Sequence, residues 1–217
     1  MSAPFTPRAN AIFAGVLVLL AGGAAGTVGA LMLYQRIPYG TGQQEQVVQP
    51  VQFDHRHHVV DDLIDCRYCH ATVDRAPSAG IPSTEACLNC HSQVWNKSPL
   101  LDLVRASWFS GQPIQWTRVH RLPGFVYFNH AIHVNKGVGC VECHGRVDQM
   151  AAIEQVAPLN MGWCLDCHRN PNPRLRPLEE ITSMTWEPPP GDREAFGREL
   201  AKRYDVKART SCYTCHR

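Results

Sequence analysis

The 217-residue sequence has no surplus of charge of either sign. Its 21 Lys and Arg against 19 Asp and Glu leave a formal net charge of +2, spread along the chain, which gives no footprint for nucleic acid. Aromatics are scarce at 8% and charged residues reach only 18%. Beyond Leu33 there is no long apolar run, so only one segment is suited to crossing a bilayer. No cysteine stands alone: all ten fall into one pattern, which leaves none for an isolated reactive thiol.

That pattern is C-x-x-C-H, five times: Cys66-Cys69-His70, Cys87-Cys90-His91, Cys140-Cys143-His144, Cys164-Cys167-His168 and Cys212-Cys215-His216. It is the attachment signature of c-type haem. Two thiols at this spacing add across the two vinyl groups of one porphyrin, and the adjacent histidine is held under the iron as its proximal ligand. Disulfides also use paired cysteines but have no need of the histidine. Zinc ribbons use C-x-x-C knuckles, yet would not place histidine after the second cysteine in every motif. The expected cofactor is therefore five haem c. Their propionates would make the assembled protein mildly acidic and give Arg67, Arg75, Arg118, Arg121, Arg146 and Arg169 carboxylates to pair with.

From Ile12 to Leu33 no residue is charged and Thr27 is the only polar one. As a helix this stretch would be about 33 Å long, enough for a ~30 Å hydrocarbon core. A cleavable signal peptide would carry a shorter apolar region, so an uncleaved anchor is expected over residues 10–34, after a cytoplasmic segment 1–9. Arg8 and Arg36 flank it and barely decide orientation. Haem attachment, which occurs outside the cytoplasmic membrane, decides it better. The expectation is a single-pass protein of the cytoplasmic membrane with its haem domain on the periplasmic or extracellular side. Gly22 and Gly26, at a G-x-x-x-G spacing, offer a small-residue face to another helix.

Residues 35–50, rich in glutamine, read as a linker. Residues 51–217 leave roughly 33 residues of chain per motif, too little for an ordinary core. The haems must then be the core, wrapped by short helices and Pro-rich loops. An internal repeat divides this region. Phe53, His55, His58 and Val59 recur at one constant offset as Phe128, His130, His133 and Val134. The expected organisation is two di-haem modules at about 51–115 and 116–185, and a fifth haem at about 186–217. Helical spacing of Phe196, Leu200 and Tyr204 leads into the last motif.

Of the 11 histidines, those outside the motifs are His55, His57, His58, His120, His130 and His133. The repeat aligns His57 with Ile132, which cannot bind iron. That leaves His55, His58, His120, His130 and His133, one for each proximal histidine His70, His91, His144, His168 and His216. Each His-x-x-His pair projects from one helix face and is expected to bridge two neighbouring haems. His120 has no counterpart in the repeat, and Met161 is its rival as a sixth ligand. Trp108, Trp116, Trp163 and Trp186 are expected as haem-pocket walls. With no iron short of a ligand, no catalytic residue is assigned.

The Phe-x-His-x-x-His-Val unit before C-x-x-C-H resembles the small class III multihaem cytochromes c. A longer pattern narrows this: Val119-His120-Arg121-Leu122-Pro123, Val126-x-Phe128-x-His130, Cys143-His144-Gly145-Arg146-Val147, and Met161-Gly162-Trp163-Cys164 through His168-Arg169. It resembles the pentahaem cytochrome c subunit of alternative complex III. The resemblance implies a non-enzymatic electron-transfer subunit of a membrane quinol:acceptor oxidoreductase. Implied partners are an iron–sulfur subunit, a quinol-binding integral membrane subunit, a monohaem cytochrome c and a soluble electron acceptor. The alternative is an autonomous membrane-anchored multihaem quinol dehydrogenase, which would need an open or displaceable iron ligand.

Overall fold

A computed structural model describes residues 6–216. The expected N-terminal segment 1–9 therefore lies partly outside the described residues. The chain divides into two compact units, one ending at Gly42 and one beginning at Gln43.

The first unit is dominated by α1 (Pro7–Tyr34). Thr6 caps it, its side chain accepting from the Ala9 N–H at 3.3 Å, and Pro7 takes the first helical position, where its missing N–H costs nothing. At 28 residues with a mean hydropathy of 2.1, α1 is long and apolar enough to cross a membrane. None of its residues is buried in the described chain. Thr27 turns its hydroxyl back onto the Gly23 carbonyl at 2.9 Å, so the one polar side chain in the span is satisfied within the helix. Gly22 and Gly26 have open space beside them. The short α2 (Pro38–Thr41) closes the unit.

The second unit has no strand among the described residues, only isolated bridges, short helices and loops. Its helices are α3 (Cys66–Cys69), α4 (Thr84–His91), α5 (Asp102–Ser110), α6 (His130–Asn135), α7 (Val141–His144), α8 (Met161–Arg169), α9 (Arg193–Arg203) and α10 (Cys212–Cys215). Four of them start on a side-chain cap. Asp65 caps α3 through the Arg67 N–H (2.8 Å), Asn129 caps α6 through Ile132 (3.2 Å), and Asn160 caps α8 through Trp163 (2.9 Å). Asp192 caps α9 through both Glu194 and Ala195 (2.9 and 3.1 Å).

The core is slight. Among the described residues the buried apolar side chains are Val73, Leu101, Val104, Ala157, Leu175, Ile181 and Leu200, and no large side chain is fully buried. The accessible surface is 15130 Å², where a compact monomer of this mass would expose about 10,000 Å². The exposed apolar side chains of α1 supply part of the excess. The rest includes large apolar side chains near the motif histidines, such as Phe125, Tyr127 and Phe128. The protein chain alone does not close a core there.

The glutamine-rich stretch read as a linker is bound down from Gln43 onward. Gln43 donates to the Val156 carbonyl at 2.6 Å and the Gln44 N–H to Gln155 at 2.9 Å. Gln49 exchanges two hydrogen bonds with the Thr117 backbone, at 2.8 and 3.0 Å. Glutamine amides supply the donors and acceptors that a strand ladder would otherwise provide.

The tightest element contact is α9 on the 3₁₀ turn Asn172–Arg174. Gly197 is buried there, and a Cβ on it would run into the Asn172 carbonyl. Gly197→Ala is expected to cost about 1–3 kcal/mol through overpacking, read as a lower unfolding midpoint.

Candidate haem sites

Each motif is a single helical turn. In α3, α7 and α10 the histidine N–H donates to the carbonyl of the first cysteine: His70 to Cys66 (2.8 Å), His144 to Cys140 (3.0 Å) and His216 to Cys212 (2.9 Å). This bond brings both thiols and the ring to one side of the turn. The ten cysteines are unbridged. Among the described residues no group of three or more His, Cys, Asp or Glu side chains is arranged to hold a bare metal ion.

The ring nitrogens follow a rule. A neutral imidazole that donates from Nδ1 keeps an unprotonated Nε2 for a metal. His70 Nδ1 faces the Gly80 carbonyl at 2.7 Å, His91 that of Val94 at 3.0 Å, His168 that of Arg209 at 2.8 Å and His216 that of Phe125 at 3.2 Å. Outside the motifs, His58 faces Asp54 (3.0 Å), His130 faces Pro77 (2.9 Å) and His133 faces Asn129 (2.7 Å) in the same way. Such outer contacts fix the tautomer and the ring direction of metal-binding histidines.

The histidines also come in pairs. Metal–imidazole bonds of about 2 Å on both sides of one ion set ring centroids about 6 Å apart. His58 and His91 lie 6.2 Å apart, His133 and His168 6.0 Å, and His130 and His144 6.4 Å. His55 and His70 are near enough for their charges to oppose each other. The members of each His-x-x-His unit thus turn to different motifs, His55 and His58 to the first and second, His130 and His133 to the third and fourth. The first unit lies on a helical turn over residues 55–61 whose last five residues, His57–Asp61, take the wider π form. Phe53 and Phe128 stack on the second histidine of their units, at 4.3 and 4.4 Å.

Burial lowers the His55 pKa to about 4, aided by His70 and His58, and that of His144 to about 3, aided by His120, His130 and His70. It also lowers His120 and His133. These rings are neutral at physiological pH, the form in which imidazole binds a metal. His55 Nδ1 is buried without an acceptor, as is Arg176 Nε. The chain's histidine spacing, neutral rings, orphaned buried donors and small core all fit a bulky apolar group carrying iron and acceptor oxygens. When bound, that group would supply reversible one-electron chemistry.

His57 is exposed, unlike the other histidines, and faces Asp61 (3.1 Å) and Asp62 (3.5 Å). Its bond to Asp61 raises its pKa. His120, expected to complete an iron, is brought to His144, with its Nε2 3.3 Å from His144 Nδ1 and the centroids 4.4 Å apart. The ring that His216 meets is Phe125, at 5.8 Å. Met161, the rival ligand, is exposed at the start of α8.

Several arginines expected at propionates hold carboxylates of the chain itself. Arg67 holds Asp65 at 3.0 Å, Arg75 holds Asp74 at 3.3 Å, Arg146 holds Asp148 at 2.6 Å and Arg169 holds Asp166 at 3.4 Å. Sequence reasoning passed over Arg174 and Arg176, which grip Glu142 inside the third motif at 3.0 and 3.1 Å. Flanking prolines (Pro173, Pro177) made that stretch look like plain loop.

The motifs touch in an order that differs from sequence order. Asn89 of the second donates to the Tyr68 hydroxyl of the first at 2.9 Å. Asp65 before the first accepts from Thr182 at 2.8 Å, while Cys140 of the third donates to the neighbouring Ile181 carbonyl at 3.0 Å. The facing Cys140 thiol and burial raise the Cys66 thiol, so these two sulfurs are neighbours. α6 joins the third motif to the fourth, and His168 meets Arg209, just before the fifth. The succession is second, first, third, fourth, fifth.

This fold and these paired histidines define a multihaem c-type cytochrome, built for haem binding and electron transport. Residues 34–108 match the Class III cytochrome C family, and residues 126–217 match cytochrome c7 and related cytochrome c. The haem-bearing region is thus of the multihaem class III kind and binds several haem c groups. Over 100 residues the chain is 36% identical to a protein of Nitratidesulfovibrio vulgaris named "Menaquinone reductase, multiheme cytochrome c subunit", covering 46% of this chain and 47% of that one. The chain therefore spans about half the length of that relative.

Two substitutions test the ligand geometry. His57→Ala is expected to leave the low-spin haem spectrum unchanged, whereas His58→Ala removes one low-spin signal from the electron paramagnetic resonance spectrum. His120→Ala separates two placements: as the hydrogen-bond partner of His144 it should shift one haem without creating a high-spin iron, whereas as an iron ligand its loss would create one.

Proposed function

We propose that the chain carries five haem c groups and passes electrons along them as a subunit of a membrane quinol:acceptor oxidoreductase of the alternative complex III type. The observation that carries this reading is the unbroken contact succession of the five motifs, each bound to the next through named hydrogen bonds or a shared histidine helix. A chain of that build keeps neighbouring haems close without assigning any of them a substrate pocket.

In this reading Cys66/Cys69, Cys87/Cys90, Cys140/Cys143, Cys164/Cys167 and Cys212/Cys215 attach the haems, and His70, His91, His144, His168 and His216 are their proximal ligands. His55, His58, His130 and His133 would complete the irons of the first, second, third and fourth motifs, and His120 is the remaining candidate for an iron ligand. α1 anchors the chain in the cytoplasmic membrane with the haem domain outside. An iron–sulfur subunit, a quinone-binding membrane subunit and a monohaem cytochrome c are its partners, and a soluble acceptor lies downstream.

The N. vulgaris relative favours a second direction for the same relay, because it is named as a menaquinone reductase subunit. Both directions need partner subunits for the quinone chemistry. One helix cannot enclose a quinone-sized pocket, which needs walls from several elements.

Pyridine haemochrome analysis of the matured chain is expected to give five c-type haems and no free thiol; four or fewer would refute the count. The purified anchored chain, free of partners, should neither oxidise a quinol nor reduce a quinone at a rate comparable with its complex. Such turnover by the chain alone would replace this reading with the autonomous quinol dehydrogenase.

A further inference from the structure

Arg176 is the most buried cation whose role the haem sites leave unexplained. It is 3% exposed and rests against the third motif on several sides. Its Nη2 donates to Glu142 Oε1 at 3.1 Å and its Nη1 to the Ser183 carbonyl at 2.9 Å. The guanidinium carbon lies 5.2 Å from the centre of the Trp186 ring. Its backbone N–H donates to Gly137 at 2.9 Å, and a Cβ on Gly139, the residue before Cys140, would run into its side chain. Nε, in that same side-chain segment beside Gly139, is buried with no acceptor.

A guanidinium is charged at any pH a protein survives, so this position holds a permanent positive charge. Glu142 does not cancel it cleanly. That carboxylate also accepts from Arg174 at 3.0 Å and lies 4.0 Å from Arg193, so one negative charge serves three arginines. Arg174 and Arg193 are about half exposed and screened by water, whereas Arg176 is not.

We propose that Arg176 is a positioning residue that sets the reduction equilibrium of the haem held by Cys140, Cys143 and His144, its buried charge favouring the reduced state. Reduction adds one electron to that haem and so lowers its net positive charge. A fixed cation nearby stabilises the reduced form, and more strongly where water is excluded. Trp186 and the Ser183 carbonyl hold the guanidinium in place, and Glu142 sets how much of its charge the motif feels. The proposal rests on the haem reading above. Failure of that reading would show as missing haem in the wild-type protein, before any titration is made.

The test is an equilibrium redox titration of the purified, fully haem-loaded chain, followed by visible absorbance. Arg176→Met should shift one haem transition about tenfold toward the oxidised state, which is 59 mV lower for a one-electron couple. Arg176→Lys, which keeps the charge, should stay within about threefold of wild type. Glu142→Gln should move the same transition the opposite way. Opposite shifts from the two partners are a signature that simple loosening of the structure would not give. An unchanged titration in Arg176→Met with all haems retained would overturn the proposal, and so would shifts of the same sign in Arg176→Met and Glu142→Gln. Should Arg176→Met lose haem during maturation, an unchanged titration in Glu142→Gln overturns it instead.

Discussion

An imidazole has two nitrogens, and only one can face an iron. In this protein the other is held, in seven of the rings, by a backbone carbonyl: Gly80, Val94, Arg209, Phe125, Asp54, Pro77 or Asn129. The consequence extends beyond the ring. Four of those carbonyls lie ten or more residues away in sequence from the histidine they hold. The His168–Arg209, His130–Pro77, His216–Phe125 and His70–Gly80 bonds fix loops as well as tautomers. In a chain with a small apolar core, orienting these rings and assembling the fold are one and the same set of contacts.

From that constraint the contact order of the motifs follows. A histidine helix that serves two motifs, as α6 does, sets the separation of those motifs by its own geometry, because residues three apart on a helix point nearly together. The first His-x-x-His unit repeats the device with a wider π turn, and the Ile181–Thr182 segment then joins the first motif to the third through Asp65–Thr182 and Cys140–Ile181. The first and third motifs become neighbours, although the second stands between them in sequence. Glu142, lying between Cys140 and Cys143, draws Arg174, Arg176 and Arg193 onto the third motif, which is the middle of the succession.

Much of this was legible in the sequence because it is local. C-x-x-C-H is a one-turn motif, the apolar stretch of α1 reads directly as one long apolar helix, and the Phe-x-His-x-x-His-Val repeat singled out His57, which the structure leaves exposed beside Asp61 and Asp62. What escaped depends on partners far along the chain. The glutamines of the expected linker find Thr117, Gln155 and Val156, contacts that no composition rule encodes. Arg176 looks from its neighbours like a loop residue between prolines, and only the fold shows that it is buried under Trp186. Counting histidines against irons gave His120 an iron, and its contact with His144 is one that counting does not see.

His120 is where the seven-carbonyl rule breaks. His144 is the one proximal ring whose outer nitrogen meets an imidazole instead of a carbonyl. A carbonyl accepts at any pH, whereas an imidazole accepts only while neutral. Burial lowers the pKa of His120, and the neighbouring His130 lowers it further, so it stays neutral through the physiological range and its Nε2 remains an acceptor there. Were it protonated, two N–H groups would face each other across 3.3 Å in a region from which water is largely excluded. The substitution of an imidazole for a carbonyl is therefore tolerable because the site is buried, and the same burial that keeps His144 neutral keeps its partner neutral too. The third motif thus gathers two departures from the pattern of the others, an imidazole behind its histidine and a buried guanidinium beside its thiols, both at the centre of the succession.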